Sequence, residues 1–277
     1  MINKLFIWLL LMLCSFRLWA TGQEGDRLVI GKDTFQLLAT PLQKILIERN
    51  ITPKDLWGDN PDYNTACWRT YIATWKLQNN KLYLEEVAPC NYYDYPGGTY
   101  PRADLKKIFP DLNKERHIFA HWVSEELLAA RGKVLYYIHD GFDRVYAEET
   151  SLVFKTGKLE KSCRYDTSKT KTAPWRDNEK MLRDYLHSAV NWEQISSEID
   201  STVKKVYCMI VSADENGKID SVLVVKGASD ILNREAVRVV KSIPQWDVIF
   251  KKGQQIQRPW TFPVRFDLET MRKYQKQ

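Results

Sequence analysis

The sequence predicts an α+β protein, with an N-terminal antiparallel β-rich domain followed by a small C-terminal β-β-α-β domain. Three observations carry this. Alternating apolar stretches punctuated by Asn, Gly and Pro run from Asp26 to Tyr165. A polar tract, DTSKTKTAP, then breaks the pattern and predicts a linker over 166–175. Beyond it, between Val206 and Leu268, the chain reads as strand, tight turn, strand, amphipathic helix and late strand. The predicted domains are 26–165 and 176–270.

The bulk properties fit a folded, exported chain. Hydrophobic residues make up 44% of the 277, enough that disorder is not the default. The 10 Trp and 14 Tyr suit β-rich cores and contact surfaces. Residues 1–20 read as an export signal. Lys4 supplies the positive end, Leu5 to Leu13 the apolar run, and Ala20 the small residue before cleavage. The apolar run falls short of the ~20 residues needed to span a bilayer. Arg17 interrupts its far end, and Cys14 follows a Leu rather than the small residue that precedes a lipidated cysteine. Without Lys4 and Arg17 the formal charge falls from +6 to +4, which points to no nucleic-acid partner. The predicted location is the periplasm or cell envelope.

In the N-terminal domain, Thr40, Pro41 and Gln43 predict the capped start of a short helix with Leu42, Ile45 and Leu46 on one face. Thr70–Leu77 alternates, Gln78-Asn79-Asn80 supplies turn residues, and Lys81–Val87 returns as the second arm of a hairpin. That hairpin brings Cys67 and Cys90 close to facing each other, either as a disulfide or as two buried thiols. Further strands are predicted over His117–Ala129, Lys133–His139, Val145–Phe154 and Lys158–Tyr165, with Gly132, Gly141 and Gly157 between them.

In the C-terminal part, a helix is predicted over Asn178–Val190. Val206–Val211 reads as a central strand, and Asn216-Gly217 is a strong hairpin signal. On the returning strand Ile219, Ser221, Leu223 and Val225 share one face, while Asp220, Val222, Val224 and Lys226 share the other. Ser229 or Asp230 caps a helix whose stripe is Leu232, Ala236, Val239, Val240 and Ile243; Arg234, Glu235, Arg238 and Lys241 lie off it. Trp260–Leu268 forms the last strand, and Pro259 and Pro263 predict that it lies at an edge, since proline cannot donate to a ladder.

This stretch resembles the C-terminal domain of TonB-type energy transducers of Gram-negative envelopes. The matching residues are DENGKI (Asp214–Ile219), VVKGAS (Val224–Ser229), NREAVRVVKSIPQW (Asn233–Trp246) and PVRF (Pro263–Phe266). The resemblance implies a periplasmic protein-binding module that captures an extended segment of an outer-membrane transporter or another envelope protein by strand addition. The implied binding edge is Trp260, Thr261, Phe262, Val264, Arg265, Phe266 and Leu268. Such an edge can also pair with its own copy as a homodimer. The chain has neither the family's Pro-rich stalk nor its spanning N-terminal helix, so binding without energy transduction is expected. Thr65–Val87 resembles a segment of uncharacterised bacterial proteins, which implies no activity.

No catalytic constellation, metal site or cofactor is predicted. His117 and His121 have the four-residue spacing of helical zinc ligands, but the surrounding alternation predicts a strand, where they lie too far apart to chelate easily. The adjacent acids Glu125-Glu126 and Glu148-Glu149 point to opposite faces and read as solvated charge. Ser124 and Cys163 have no activating context. Asp140-Gly141 and Asp214–Gly217 read as turns. The loop with Tyr92, Tyr93, Tyr95 and Tyr100 is either a sugar- or peptide-binding surface or a loop packed by its own rings. The alternative function is an envelope hydrolase or carbohydrate-binding protein centred on the N-terminal domain.

Overall fold

The computed structural model describes residues 21–59, 61–110, 117–138 and 140–275; the expected export signal lies outside them. The α+β expectation is overturned. Strands take up 39% of the described residues and helices 22%, and the largest assembly is a mixed sheet of eight strands. The protein is mostly β, because its helices are short covers over sheets rather than a layer of their own. The chain divides into two units. Among the described residues, those from 21 to 131 with those of 137–144 and 150–163 form the first, and those of 132–136, 145–149 and 164–275 the second.

The eight strands are β1 (Asp26–Ile30), β2 (Asp33–Leu37), β3 (Tyr71–Gln78), β4 (Lys81–Pro89), β5 (Ile118–Phe119), β6 (Glu126–Tyr137), β7 (Arg144–Lys155) and β8 (Lys158–Tyr165). Their order is β3-β1-β2-β6-β7-β8-β4-β5, and β3 also pairs with β4, so the order returns on itself. The antiparallel expectation fails at one pairing: β1 runs parallel to β3, with Arg27 opposite Thr74 and Ile30 opposite Leu77. Parallel neighbours need a crossover connection. Here β2 and two short helices, α1 (Gln43–Glu48) and α2 (Pro53–Trp57), fill it. Ile45 and Leu46 of α1 are buried in the same core as Leu28, Tyr71, Trp75 and Leu84.

The local signals fared unevenly. Asn79 and Asn80 take φ of 50° and 58°, the left-handed pair that a tight hairpin between β3 and β4 requires. Cys67 and Cys90 are joined by a disulfide with Cα atoms 6.1 Å apart. The predicted cap at Thr40 is not used: α1 starts at Gln43 after Leu42, with no side-chain cap. The reciprocal cap belongs to α2, where Thr52 and Asp55 satisfy each other's backbone N–H groups and Pro53 opens the helix. The long strand expected over His117–Ala129 is two residues of β5, a turn, and then β6. Gly132 does not end a strand. It takes φ of 83° inside β6, which runs on to Tyr137.

The second unit is built on a three-stranded antiparallel sheet of order β10-β9-β13. Its strands are β9 (Lys204–Ala213), β10 (Ile219–Lys226) and β13 (Trp260–Phe266). Val206, Cys208 and Ile210 of β9 and Phe262, Val264 and Phe266 of β13 point into one core. That core is closed by α4 (Glu179–Ala189) and α5 (Asp230–Lys241); a third short helix of the first unit, α3, spans Leu105–Ile108. Ser229 caps α5 by accepting from Leu232 N, and Leu232, Ala236, Val239 and Val240 are buried. Each Leu or Val side chain buried this way is worth roughly 1.5–3 kcal/mol. Glu235, expected off the stripe, is buried too: its carboxylate accepts from Asn191 N at 2.6 Å and from Arg238.

Three further features correct the reading. The segment expected as a linker packs into the second unit, where Ala173 and Trp175 are buried and Lys171 bridges to Val248. The register of β10 shifts between Ile219 and Ser221 and again before Val222. Ile219, Val222 and Val224 therefore all reach the core, while Leu223 and Val225 are exposed. The long loop before the last strand contains a small ribbon, β11 (Ile249–Lys251) with β12 (Gln254–Ile256), turned by Lys252 and Gly253 at positive φ. Among the described residues no helix is long and apolar enough to cross a membrane.

Asp26, at the head of β1, has no exposed surface. Its carboxylate accepts from Arg69 at 3.2 Å, from Ala73 N at 3.1 Å and from Trp75 Nε1 at 2.9 Å. Burial still outweighs these partners and pushes the carboxyl up to about 6 from 3.8. A carboxyl raised in the folded state stabilises the fold most when protonated, below the unfolded value, and that stability is lost as pH rises through about 6. Thermal unfolding followed from pH 7 down to pH 4 should show this contribution growing by about 3 kcal/mol at most. Asp26→Asn, which cannot titrate, should flatten that window.

Candidate functional site

The expected edge residues divide by burial, with Trp260 the exposed end of the otherwise buried side of β13. Phe262, Val264 and Phe266 are buried in the core; Val264 and Phe266 are not offered to a partner, while Phe262 reaches the groove described below. Trp260, Thr261, Pro263 and Arg265 are exposed. Leu268 is not part of the strand. It opens α6 (Leu268–Tyr274), which Asp267 caps by accepting from Thr270 N at 2.9 Å. Asp267 also accepts from Arg265 Nε at 2.6 Å, and these bonds end the strand at Phe266.

β13 has one neighbour in its sheet, β9, with Trp260 opposite Ile210 and Phe266 opposite Lys204. The other side of the strand is an edge. A proline in an edge strand turns its nitrogen away from the ladder. On that rule Thr261, Pro263 and Arg265 direct their backbone groups outward, and Thr261 and Arg265 supply the outward N–H donors.

A groove of about 430 Å³ runs beside this edge. Thr261 and Pro263 of β13 line it, together with Glu179, Leu182, Arg183 and Leu186, which share one face of α4. Trp175, Trp246 and Trp260 add aromatic walls. Each wall is held in place by the fold. Trp175 Nε1 donates to Gln245 O at 2.8 Å. Trp246 packs its ring 6.2 Å from that of Phe262, and its backbone N–H donates to Gly217 O at 2.7 Å. Arg176 lies with its guanidinium 3.7 Å over the Tyr136 ring and donates to Asp247 at 2.6 Å. Burial and the Asp247 charge push the Tyr136 hydroxyl above its ordinary range.

The other residues singled out by sequence do not converge. His117 is exposed with Nδ1 3.4 Å from Glu85, and His121 is exposed beside Trp122. No group of three or more His, Cys, Asp or Glu able to hold a metal forms among the described residues. Glu126 accepts from Ser151, and Ser124 accepts from Thr156 N. Glu149, expected to be solvated, is buried and accepts from Tyr146 N at 2.9 Å; burial raises its carboxyl. Arg164 lies 3.5 Å from Glu148. Cys163 is half-buried. Asp214 accepts from Asn216 N and Lys218 N in the β9–β10 turn. Tyr92 meets Tyr93 and Tyr100 edge-on, and Tyr100 donates to Glu86, so those rings pack on their own loop.

Sequence reasoning missed most of the groove. The available signal was Trp175 at the end of the tract taken as a linker, followed by Arg176, together with Trp246 and Trp260 on either side of the ribbon. No protein-family model, no curated protein and no solved structure matches this chain.

The β9–β10 turn is tied directly to one groove wall. Gly217 has φ of 85°, and a Cβ there would lie 2.7 Å from the Trp246 carbonyl oxygen. Gly217→Ala should therefore destabilise the protein by about 2 kcal/mol, read from chemical unfolding. The same change should shift the emission of Trp246.

Proposed function

We propose that the second unit binds an extended peptide segment by strand addition along β13. The observation that carries this reading is an edge strand, kept unpaired on one side and marked by Pro263, with a walled groove along the same edge. In strand addition, backbone hydrogen bonds supply affinity and pockets for alternate side chains supply selectivity. The edge offers the first and the groove the second. The likeness of Asp214–Phe266 to the TonB C-terminal domain supports an envelope partner, such as an outer-membrane transporter, and an exported protein. The reading asks for no chemistry and assigns the acids singled out by sequence no part in catalysis.

The test separates backbone from side chain at one position. Synthetic peptides copying extended segments of outer-membrane transporters are titrated against the full chain. Thr261→Pro removes an outward N–H, while Thr261→Val keeps it. Proline should weaken binding about fivefold, the worth of one net hydrogen bond, and valine should leave it near the parent value. Equal binding by both variants, with unchanged unfolding midpoints, would remove the edge from the mechanism. Dimerisation along β13 instead would appear as concentration-dependent mass in light scattering, lost in Thr261→Pro.

A further inference from the structure

The sheet of the second unit is covered by helices on one side. Val206, Cys208 and Ile210 of β9 and Phe262, Val264 and Phe266 of β13 face the core, where apolar residues of α4, α5 and α6 also pack. Side chains alternate along a strand, so Lys205, Tyr207, Met209 and Val211 of β9 stand on the other side. The register carries that side across to β10, with Leu223 opposite Met209 and Lys226 opposite Tyr207. Leu223 and Val225 are 53% and 56% exposed and adjoin the half-buried Tyr207 and Met209, so the apolar surface is continuous rather than scattered. Two lysines border it. Lys205 and Lys226 are exposed, and neither side chain has a partner among the described residues. They stand diagonally across the β9–β10 ladder, a spacing of ~7–8 Å. Arg265, opposite Lys205, is held by Asp267 at 2.6 Å and adds no free charge. The one acid in the three strands is Asp220, which accepts from Ser212 Oγ at 3.4 Å. Ser212 lies about 17 Å along β9 from Tyr207, twice the ~8 Å screening length of physiological salt. Asp200 is engaged with Lys204 at 3.0 Å, and Asp230 opens α5 on the covered side.

We infer that this open face rests on an anionic lipid surface, with Leu223 and Val225 entering the boundary between headgroups and acyl chains and Lys205 and Lys226 meeting lipid phosphates. A bilayer takes up protruding aliphatic side chains without a shaped pocket, and buried apolar area and attraction to anionic lipid add together. Lysine suits the border, because its stem lies along apolar surface while the ammonium stays at the headgroups. Tyr207 suits it too, with an apolar ring and a polar tip. A second copy fits less well: its matching strands would offer these lysines only Asp220, already bonded to Ser212. The protruding aliphatics lie on β10, the strand farthest from β13 in the sheet, so the contact leaves the β13 edge free and is independent of strand addition.

The experiment uses the chain from Thr21 onward, which keeps both units whole and leaves out the apolar run from Leu5 to Leu13 as an anchor. It is sedimented with vesicles of phosphatidylglycerol and phosphatidylcholine in equal parts, and with vesicles of phosphatidylcholine alone. The chain should partition into the anionic vesicles, less so as salt is raised, and far more weakly into the neutral ones. Lys205→Gln with Lys226→Gln should lower the anionic partition constant about tenfold or more at low salt. Leu223→Ser with Val225→Ser should lower it about tenfold, with the unfolding midpoint near the parent value because both side chains are exposed. Lys241→Gln, an exposed charge at the end of α5 on the covered side, should change it little. No partition into anionic vesicles, or equal partition by the parent and every variant, overturns the lipid contact. Partition that falls with the lysine changes but not with the serine changes, alongside equal capture on polyglutamate, overturns it in favour of an acidic protein. Concentration-dependent mass in light scattering, lost in the serine variant, overturns it in favour of a second copy.

Discussion

A carboxylate with no water around it sets the layout of the first unit. Asp26 begins β1, yet its partners lie in and just before β3: Arg69, the backbone of Ala73 and the indole of Trp75. An ionised carboxyl removed from water costs several kcal/mol unless paired and hydrogen-bonded. Those partners are within reach only when β1 lies parallel to β3 in the observed register, Arg27 against Thr74. The parallel pairing in turn demands a crossover, and the segment that makes it carries Leu42, Ile45 and Leu46 into the core. One polar residue thus fixes a pairing, a connection and a core. Breaking it on one side would leave Arg69 buried without its counter-charge, typically a loss of about 3–5 kcal/mol.

The two sheets treat their edges in opposite ways. In the first, β3 pairs with both β1 and β4, so the strands between them have a neighbour on each side. Closure of this kind removes the rows of unpaired N–H and C=O groups that make edges adhesive. The second sheet keeps three strands and does not close. Its last strand is blunted only in part. Pro263 removes one donor, and the Arg265–Asp267 bond with the cap of α6 stops the strand at a fixed length. A short, defined, half-blunted edge suits reversible pairing with a short segment better than indefinite stacking.

What the sequence revealed follows the range of the interactions. Hairpin turns such as Asn79-Asn80, the α4 and α5 helices and the position of β13 depend on residues within a few places of each other, and they were legible. The parallel β1–β3 pairing was not, because each strand taken alone looks like half of an antiparallel hairpin; its cause is a carboxylate almost fifty positions from Trp75. The irregular register of β10 was hidden by a clean alternation that the backbone then breaks three times. Gly132 read as a terminator because positive φ usually ends a strand, whereas here it sits within one. The groove was the least legible feature. Tyr136, Trp175, Leu182, Trp246 and Trp260 come from five separate stretches of chain, and only the fold brings them together.

The energetics of strand addition show why an edge alone would be a poor binder. Ordering each residue of a flexible peptide costs about 1–2 kcal/mol of backbone entropy. Each backbone hydrogen bond returns a net of about 0.5–1.5 kcal/mol. Because an added strand bonds through alternate residues, with two groups at each, the backbone terms come close to cancelling. Affinity must then come from a side chain that leaves water, worth roughly 1.5–3 kcal/mol for a large apolar group and more where the walls are rigid and aromatic. The β13 edge fixes direction and register but cannot tell one sequence from another, since every peptide has the same backbone. The groove held between α4, Trp175 and Trp246 can make that distinction. If the proposed strand addition holds, the edge and the groove form one site, and the residues that select the segment lie mainly outside the strand that pairs with it.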